Sequence, residues 1–296
     1  MAQRRASLSP PSSLTYEGVI KRGGNTISDS PETIHPGDHS SVKQHNREAW
    51  DHSVKEKNRW TVCVGPDDIA QARGGDLNIV LTPTKLIPKS WLGDVRGRNI
   101  LGLASGGGQQ GPLLAAAGAN VTIVDLSPMQ LEQDQKVADR EGLSLELVNS
   151  SSDDLSMLAD HTFDLIINPC SSCFFPDLAV VWKECRRVLK PGGSLLTGFV
   201  KPISFCFDFE KANVGEFHLK YPLPFSDISS FSPEEKKRFL RKESPVEFSH
   251  TLTAQMGGLL DQGFVISGFY EDDWGGSEPI DRFFPSFASI KADLPN

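Results

Sequence analysis

The feature that most constrains this chain is a run of glycines and glutamines set directly between a short apolar strand and a small-residue helix. Residues 99–104 read NILGLA, the turn at 105–110 reads SGGGQQ, and GPLLAAAGA follows at 111–119. Glycines in such a turn let backbone N–H groups approach a ligand closely, and the helix start adds a partial positive charge. The segment predicts a binding loop that suits nucleotide, flavin or phosphate ligands equally well.

A single aspartate makes this prediction more specific. Asp125 ends the second apolar strand, VTIVD, about 20 residues beyond the glycines. A carboxylate at that point accepts hydrogen bonds from both hydroxyls of an adenosine ribose. This excludes a loop that holds phosphate alone, but it keeps NAD as a candidate ligand. The structural alternative is that Asp125 only caps the helix that follows.

Apolar strands and helices alternate after the glycine loop, as an open parallel sheet requires. Strands are expected at residues 121–125, 145–148, 163–168 and 194–199. Ser127 and Pro128 stand at capping positions of one intervening helix, and another helix is expected over residues 177–189. Strands that are apolar on both faces and alternate with helices indicate a mostly parallel sheet covered on both sides.

Composition limits the partners and the cellular location that can be expected for this chain. The net charge of −8 is spread over both halves of the chain, so a basic face for nucleic acid is not expected. No apolar run approaches the roughly 18 to 20 residues of a membrane helix, so no membrane span is expected. Five cysteines are an odd number in a chain with 38% apolar residues, which favours reduced thiols and an intracellular, cytoplasmic location. The sequence does not indicate an oligomeric state.

Five blocks in a fixed order carry a resemblance to a known family. They cover roughly residues 95–200 and read ILGLASGGG, VDLSPMQL, LELVNSSSDDL, FDLIINP and RRVLKPGGSLLTGF. With these blocks the chain resembles the class I S-adenosylmethionine-dependent methyltransferases, in particular the small-molecule group similar to the ubiquinone and menaquinone methyltransferases. RVLKPGG before a strand is the most specific block, because dinucleotide dehydrogenases do not show it there.

The resemblance implies a fold and a division of the chain. The fold is α/β, a Rossmann-like doubly wound sheet of seven mostly parallel strands with a C-terminal antiparallel strand pair. We expect residues 1–40 to be a disordered tail, with organelle targeting as the weaker alternative, and residues 41–296 to form one methyltransferase domain. Its expected parts are an N-terminal helical segment (41–94), a cofactor-binding core (95–200), an acceptor-site or lid segment (201–249), and a closing helix and strands (250–291).

The resemblance also implies which residues bind S-adenosylmethionine. Asp125 would hold the ribose hydroxyls, and Leu126 would lie against the adenine. Trp60, ahead of the sheet, could close over the cofactor or pack in the core. The residues whose backbone would face the methionine part are Ala104, Ser105, Gly106 and Gly108. Those implied at the adenine edge are Ser151, Ser152 and Asp153, and those implied on the methyl-transfer side are Asn168 and Pro169.

The chain departs from the family pattern at three positions. Gly102 stands where the family has an acidic residue that helps to hold the methionine amine, so Gln109 or Gln110 is expected to replace it. Ala104 replaces the usual first glycine, a change that is tolerable if the backbone keeps a negative φ. Ser151 replaces the usual adenine-edge aspartate, so Asp153 or Asp154 is expected to substitute for it.

Methyl transfer from a sulfonium is an in-line displacement, which depends on positioning more than on any obligatory catalytic residue. A base would help a hydroxyl or thiol acceptor, and the weak candidates beyond the fifth strand are Asp208, His218, Tyr221 and His250. Cys170 and Cys173 are expected to be small buried residues, although a contact with substrate is conceivable, and no metal site is expected because matching ligands are absent from the pattern.

The expected function is therefore transfer of a methyl group to a small-molecule acceptor whose reacting atom is left open. Two alternatives remain at this point. A non-catalytic module that keeps the fold would fit the departures at Gly102 and Ser151. An NAD-dependent oxidoreductase would explain the glycine loop and Asp125, but not RVLKPGG or the closing strand pair.

Overall fold

A computed structural model of the chain describes residues 38–296, and a seven-stranded sheet forms its centre. The order of the strands across the sheet is β3-β2-β1-β4-β5-β7-β6. The strands are β1 (Asn99–Leu103), β2 (Asn120–Asp125), β3 (Glu146–Asn149), β4 (Phe163–Asn168), β5 (Leu189–Val200), β6 (Val265–Asp272) and β7 (Phe287–Asp293). Strands β1 to β5 pair in parallel, whereas β7 pairs antiparallel with both β5 and β6. This confirms the expected fold class, including the C-terminal antiparallel pair.

Helices cover both faces of the sheet. In the chain they stand before the first strand or between successive strands. They are α1 (His39–Lys55), α2 (Pro66–Arg73), α3 (Lys89–Leu92), α4 (Gln110–Ala116), α5 (Pro128–Glu141), α6 (Leu178–Val188), α7 (Phe209–Asn213), α8 (Asp227–Ser230), α9 (Pro233–Phe239) and α10 (Gly258–Asp261). Ser127 caps α5 as expected, because its hydroxyl accepts a hydrogen bond from Gln130 N–H at 3.1 Å. None of these helices is long and apolar enough to cross a membrane.

The sheet separates two apolar cores, because successive residues of a strand point to opposite faces. Along β1, Ile100 belongs to one core, while Leu101 and Leu103 belong to the other. The core that contains Leu101 is centred on α6, where Trp182 is fully buried. Such double-sided burial explains why the central strands are nearly continuous apolar runs in the sequence.

Two elements differ in detail from the sequence pattern. Residues 190–193, KPGG, which precede the expected fifth strand, lie within β5, and Gly192 N–H donates to the Leu294 carbonyl at 2.8 Å. The helix expected in the closing segment 250–291 is a π-helical turn at Thr253–Gly257 followed by the short α10. There the carbonyl of Ala254 accepts from Trp182 Nε1 at 3.1 Å, which joins this turn to α6.

The segment 201–249 folds into short helices around an aromatic cluster. Phe205, Phe209 and Phe225 are buried in it, with ring centroids of Phe209 and Phe225 5.5 Å apart. Aromatic pairs of this kind add stabilisation beyond the burial of their area. The tail expected over residues 1–40 lies outside the described residues except for residues 38–40. These three residues belong to the folded domain, because Asp38 caps α1 and His39 begins the helix.

Candidate active site

A crevice of about 1190 Å³, measured out to its open mouth, runs along the carboxyl ends of the strands. It includes residues that follow β3, β2, β1 and β4, and it ends at Phe287, the first residue of β7. Ligands of open α/β sheets bind in this position, where the strand order reverses. The residues that line it are Lys43, Asn46, Trp50, Trp60, Val80, Leu81, Thr82, Pro83, Ala104, Ser105, Gly106, Gln109, Gln110, Asp125, Leu126, Gln130, Ser151, Ser152, Asp153, Pro169, Cys170, Ser171, Phe174, Phe175, Pro176, Val181 and Phe287.

The glycine loop folds over the carboxylate of Asp125. Its Oδ2 accepts a hydrogen bond from Gly106 N–H at 3.0 Å, and its Oδ1 accepts one from Ser127 N–H at 2.9 Å. A Cβ on Gly106 would lie 2.9 Å from Asp125 Oδ2, closer than side chains pack, so this approach requires glycine. The sequence pair of glycine loop and strand-end carboxylate is therefore assembled into one structure.

Burial gives the carboxylate of Asp125 unusual electrostatics. Desolvation raises its pKa to about 6, against the opposing effect of the hydrogen bonds from Ser127 and Gly106. A second carboxylate, Asp134 on α5, accepts from Gly107 N–H at 3.0 Å, and burial raises its pKa well above the usual range. Asp134 therefore supports the glycine loop. The sequence analysis missed this role, because an amphipathic helix pattern does not distinguish Asp134 from the other charged residues of α5.

The two departures from the family pattern at β1 are linked in space. A Cβ on Gly102 would lie less than 3.0 Å from Ser105 Oγ, so the serine hydroxyl takes the room that an acidic side chain would need. Ser105 Oγ itself is buried without a hydrogen-bond partner among the described residues. Ala104 does not keep a negative φ as the sequence analysis required: its φ is +46°, in the left-handed region that costs an alanine about 1–2 kcal/mol.

Most of the residues implied to bind cofactor do line the crevice. They are Trp60, Ala104, Ser105, Gly106, Asp125, Leu126, Ser151, Ser152, Asp153 and Pro169. The two glutamines suggested as replacements for an acid at position 102 also line it. Gln109 Nε2 donates to the carbonyls of Arg59 and Val62 at 3.1 and 3.0 Å, and Gln110 Nε2 lies 3.5 Å from the Val80 carbonyl.

Two of the implied residues lie outside the crevice lining. Gly108 has a φ of +73° and turns the loop away, where a Cβ would meet Cys63 Sγ at 2.8 Å. Asn168 is fully buried beneath the crevice: its Nδ2 donates to the Leu103 carbonyl at 2.8 Å, and its Oδ1 accepts from Thr197 Oγ1 at 2.9 Å. Asn168 therefore joins the ends of β1, β4 and β5, instead of facing a ligand.

Helix α1 forms one wall of the crevice that sequence reasoning missed. Lys43, Asn46 and Trp50 face the crevice, and Lys43 Nζ lies 2.7 Å from Asp153 Oδ1. Asn46 Oδ1 accepts from Val246 N–H at 2.7 Å, which fastens the helix to the segment beyond β5. The buried side of α1 carries polar residues, among them His45 and Asn46, beside the apolar Val42 and Ala49.

The opposite wall comes from residues 80–83 and from β7. The carbonyl of Leu81 accepts from Cys170 N–H at 2.9 Å, so this extended segment crosses the end of β4. Phe287 is buried at the start of β7, and its ring lies 4.5 Å from that of Trp274. The sequence analysis placed residues 80–83 in the N-terminal segment 41–94 and Phe287 in the closing segment 250–291, so neither was expected in the site.

The weak candidates for a catalytic base all lie outside the lining. His250 Nε2 lies 2.7 Å from the Phe175 carbonyl, and burial lowers the pKa of its imidazole. Asp208 caps α7 and pairs with Lys220 at 3.1 Å. His218 is exposed beside Glu216. Tyr221 donates to Glu235 Oε1 at 2.7 Å. Segment 201–249 as a whole contributes no lining residue, so it supports the crevice from behind and does not form its wall.

Of the two cysteines after β4, Cys173 is buried, as expected, whereas Cys170 is only partly buried. Cys170 lines the crevice, whereas Cys173 lies behind it. Burial raises the pKa of both thiols, with nearby carboxylates adding to the effect, so both are uncharged near neutral pH. Within residues 38–296, no cluster of three or more His, Cys, Asp or Glu side chains could hold a metal ion.

Comparison with known proteins agrees with this geometry. Residues 101–197 match a family model described as a methyltransferase domain. The protein YbaJ of Bacillus subtilis (strain 168), described as an uncharacterized methyltransferase, is 42% identical over 253 residues, which cover 86% of this chain and 98% of YbaJ.

Solved structures show the same fold at low sequence identity. An S-adenosylmethionine-dependent methyltransferase from Mesorhizobium loti has a TM-score of 0.53 and 20% identity, covering 69% of this chain and 94% of its own. The 1,6-didemethyltoxoflavin-N1-methyltransferase of Burkholderia thailandensis has a TM-score of 0.55 and 14% identity, covering 91% and 94%. Together with the matched domain and the relative of nearly equal extent, the strand-end crevice identifies this chain as a member of the class I S-adenosylmethionine-dependent methyltransferases.

Proposed function

We propose that the crevice binds S-adenosylmethionine with its nucleoside over the ends of β1 to β3, and that the methyl group is passed to a small molecule over the ends of β4 to β7. The observation that carries the proposal is Asp125, a buried carboxylate that faces the crevice and whose two contacts at 2.9 and 3.0 Å come from backbone N–H groups. A carboxylate can still accept hydrogen bonds from two ribose hydroxyls in this arrangement.

The residues present fit this cofactor. Gly106 lets the loop backbone approach Asp125 closely, because a Cβ at this position would overlap Asp125 and Gln130. Leu126 and residues 151–153 offer an apolar surface and polar edge for a purine, and Asp153 carries a carboxylate for its amine. The unpaired Ser105 Oγ stands beside the crevice on the far side of Asp125, where the chain attached to the ribose would continue.

When bound, S-adenosylmethionine supplies a methyl group on a positively charged sulfur, which a nucleophile displaces in line. The protein's contribution is to hold the two reactants in register and to exclude water. Asp125 fixes the ribose, the backbone at Ala104 and Ser105 orients the chain beyond it, and Pro169 lies where β4 ends beside β1. Trp60 and helix α1 line the same crevice.

Calorimetry with S-adenosylhomocysteine tests the proposal. Wild-type protein is expected to bind it, and Asp125→Ala is expected to weaken binding roughly 100-fold, because two hydrogen bonds to a charged group are lost. Asp139→Ala, an exposed aspartate on α5, is the matched control and should bind as wild type does. Absence of binding to the wild type, or equal affinities for the two variants, would contradict the proposal.

Transfer itself is measured with S-adenosylmethionine carrying a labelled methyl group. Wild-type protein should place the label on a low-molecular-weight component of a cell extract, and Asp125→Ala should not do so at limiting cofactor. A protein that binds S-adenosylhomocysteine but labels nothing would be a binding module and not an enzyme.

A further inference from the structure

The crevice is longer than a nucleoside needs. From β3 to β7 the strand order comprises five steps of about 4.8 Å, so the crevice extends about 24 Å across the sheet. The part over β4 to β7 is hereafter the acceptor compartment, lined by Trp60, Val80, Leu81, Thr82, Pro83, Pro169, Cys170, Ser171 and Phe287.

The acceptor compartment is apolar and aromatic. Phe287 and Trp60 line it, and both rings lie near that of Trp274, at 4.5 Å and 6.5 Å between centroids. Leu81 and Pro83 complete the apolar wall. Flat apolar rings bind such walls through area burial and stacking.

Charged side chains that line the crevice lie in its other part. Among the described residues these are Lys43, Asp125 and Asp153, which belong to α1 or follow β2 and β3. Lys43 and Asp153 pair at 2.7 Å. A charged group on a ligand in the acceptor compartment would therefore be desolvated without a counter-ion from these side chains, which is strongly unfavourable.

The surroundings of the acceptor compartment are negative. Behind its wall, the carboxylate of Asp272 accepts hydrogen bonds from Thr84 N–H at 2.9 Å and Lys85 N–H at 3.0 Å. Asp272 and Glu247 are close enough to add to the effect of burial in raising the pKa of the Cys170 thiol. An anionic ligand would be repelled there, in addition to losing its hydration.

We propose, given the function above, that the acceptor is a small, neutral, apolar molecule with an aromatic or similarly flat ring, and that its reacting atom is nucleophilic without a base from the crevice wall. In the transfer step, a lone pair of this atom forms the bond to the methyl carbon. The carbon–sulfur bond breaks and leaves its electron pair on sulfur as a neutral thioether. The positive charge passes to the acceptor, and any proton that the acceptor then loses goes to water.

A matched pair of fluorescent probes tests the chemistry of the acceptor compartment. N-phenyl-1-naphthylamine is neutral, and 8-anilino-1-naphthalenesulfonate is the same ring system with a sulfonate. In the presence of saturating S-adenosylhomocysteine, the neutral probe is expected to bind at least about 10-fold more tightly, because burial of an unpaired charge is avoided. Phe287→Ala should weaken binding of the neutral probe several-fold, whereas Phe283→Ala, at a phenylalanine that is 64% exposed, should not.

The inference would be overturned if the sulfonate bound as tightly as the neutral probe or more tightly. It would also be overturned if the neutral probe did not bind, or if S-adenosylhomocysteine displaced it. Equal affinity of the two phenylalanine variants for the neutral probe would overturn it as well. The proposed function fails separately, because calorimetry reports whether wild-type protein binds S-adenosylhomocysteine at all. If that binding is intact and the probes do not discriminate, only the assignment of the acceptor class is lost.

Discussion

At the scale of single residues, the site depends on the carboxylate of Asp125, which is buried where desolvation disfavours its charged form. The side chain of Asp125 is buried at the base of the crevice, and desolvation is the largest cause of its raised pKa. Ribose hydroxyls can replace part of the lost hydration, so the ionised form becomes the binding form. The same property that prepares Asp125 for a ligand therefore makes the ligand-free protein sensitive to pH.

We predict that affinity for S-adenosylhomocysteine falls as the pH drops through about 6, because Asp125 becomes protonated and loses acceptor capacity. Below that pKa the loss approaches tenfold per pH unit. Titration calorimetry from pH 5 to 8 measures this loss of affinity.

The stability of the empty protein should change with pH in the opposite sense. The pKa of Asp125 is raised from 3.8 to about 6 in the folded protein, so protonated Asp125 favours the folded state. This contribution to the free energy of unfolding is fully present below pH 3.8 and is lost as the pH rises through about 6.

Asp125→Asn removes the titrating group. The variant should lose the dependence of both binding and stability on pH through about 6, because an amide does not titrate. Its absolute stability should not rise by the full effect of desolvation, because the amide NH2 cannot accept the hydrogen bond that one carboxylate oxygen receives from Gly106 or Ser127 N–H. Denaturant titration at pH 5 and pH 7 measures the pH dependence of stability. A variant that keeps the wild-type difference in stability between the two pH values would contradict this account of Asp125.

The neighbouring pair Gly102 and Ser105 gives a second prediction at this scale. Gly102→Asp alone should destabilise the protein by about 1–3 kcal/mol, because its Cβ would overlap Ser105 Oγ. Combining it with Ser105→Gly should recover most of that loss, and the recovery can be measured as a coupling energy in a double-mutant cycle. Equal destabilisation in the single and double variants would show that the two positions do not compete for the same space.

At the scale of elements, α1 is held beside the crevice by several polar contacts in addition to the burial of Val42 and Ala49. Ser127 Oγ donates to Asp51 Oδ1 at 2.5 Å, Lys43 pairs with Asp153, and His45 Nε2 lies 2.9 Å from the Ser244 carbonyl. Such contacts contribute less to stability than apolar burial, so α1 should open locally more often than the central strands.

We therefore predict that S-adenosylhomocysteine slows hydrogen exchange in residues 39–55. At a ligand concentration 100 times the dissociation constant, exchange that requires opening of the crevice should slow by about 100-fold. Peptides from β6, at the far edge of the sheet, should change little and serve as the internal control. If protection in the two regions is equal, α1 does not open independently of the domain.

Periodicity and capping residues were sufficient to predict most elements. Ser127 and Pro128 marked the start of α5, and the apolar runs at 121–125 and 163–168 became β2 and β4. The wall formed by α1 was not predictable, because Asn46 and Lys43 become site residues only through partners about 110 to 200 residues away. For the same reason, the buried position of Asn168 beneath the crevice could not be separated from a ligand contact.

At the scale of the whole molecule, the order of the blocks predicted the sheet, and distant segments completed the site. The glycine loop and Asp125 are close in sequence, so their pairing followed from the motif. Residues 80–83 cross the end of β4 through Leu81 and Cys170, a contact that joins segments about 90 residues apart. No local pattern encodes such a contact, which is why the acceptor compartment was assigned to segment 201–249 from the sequence alone.

The walls of the crevice have a consequence for biosynthesis. Lys43 and Trp50 are synthesised about 240 residues before Phe287, yet all three line the same crevice. A nascent polypeptide can therefore pair β1 with β2 long before its reaction chamber is complete, because the last wall is missing until β7 docks between β5 and β6. Chains arrested before residue 287 should retain a nucleoside-sized recess and lack the surface against which a methyl acceptor rests.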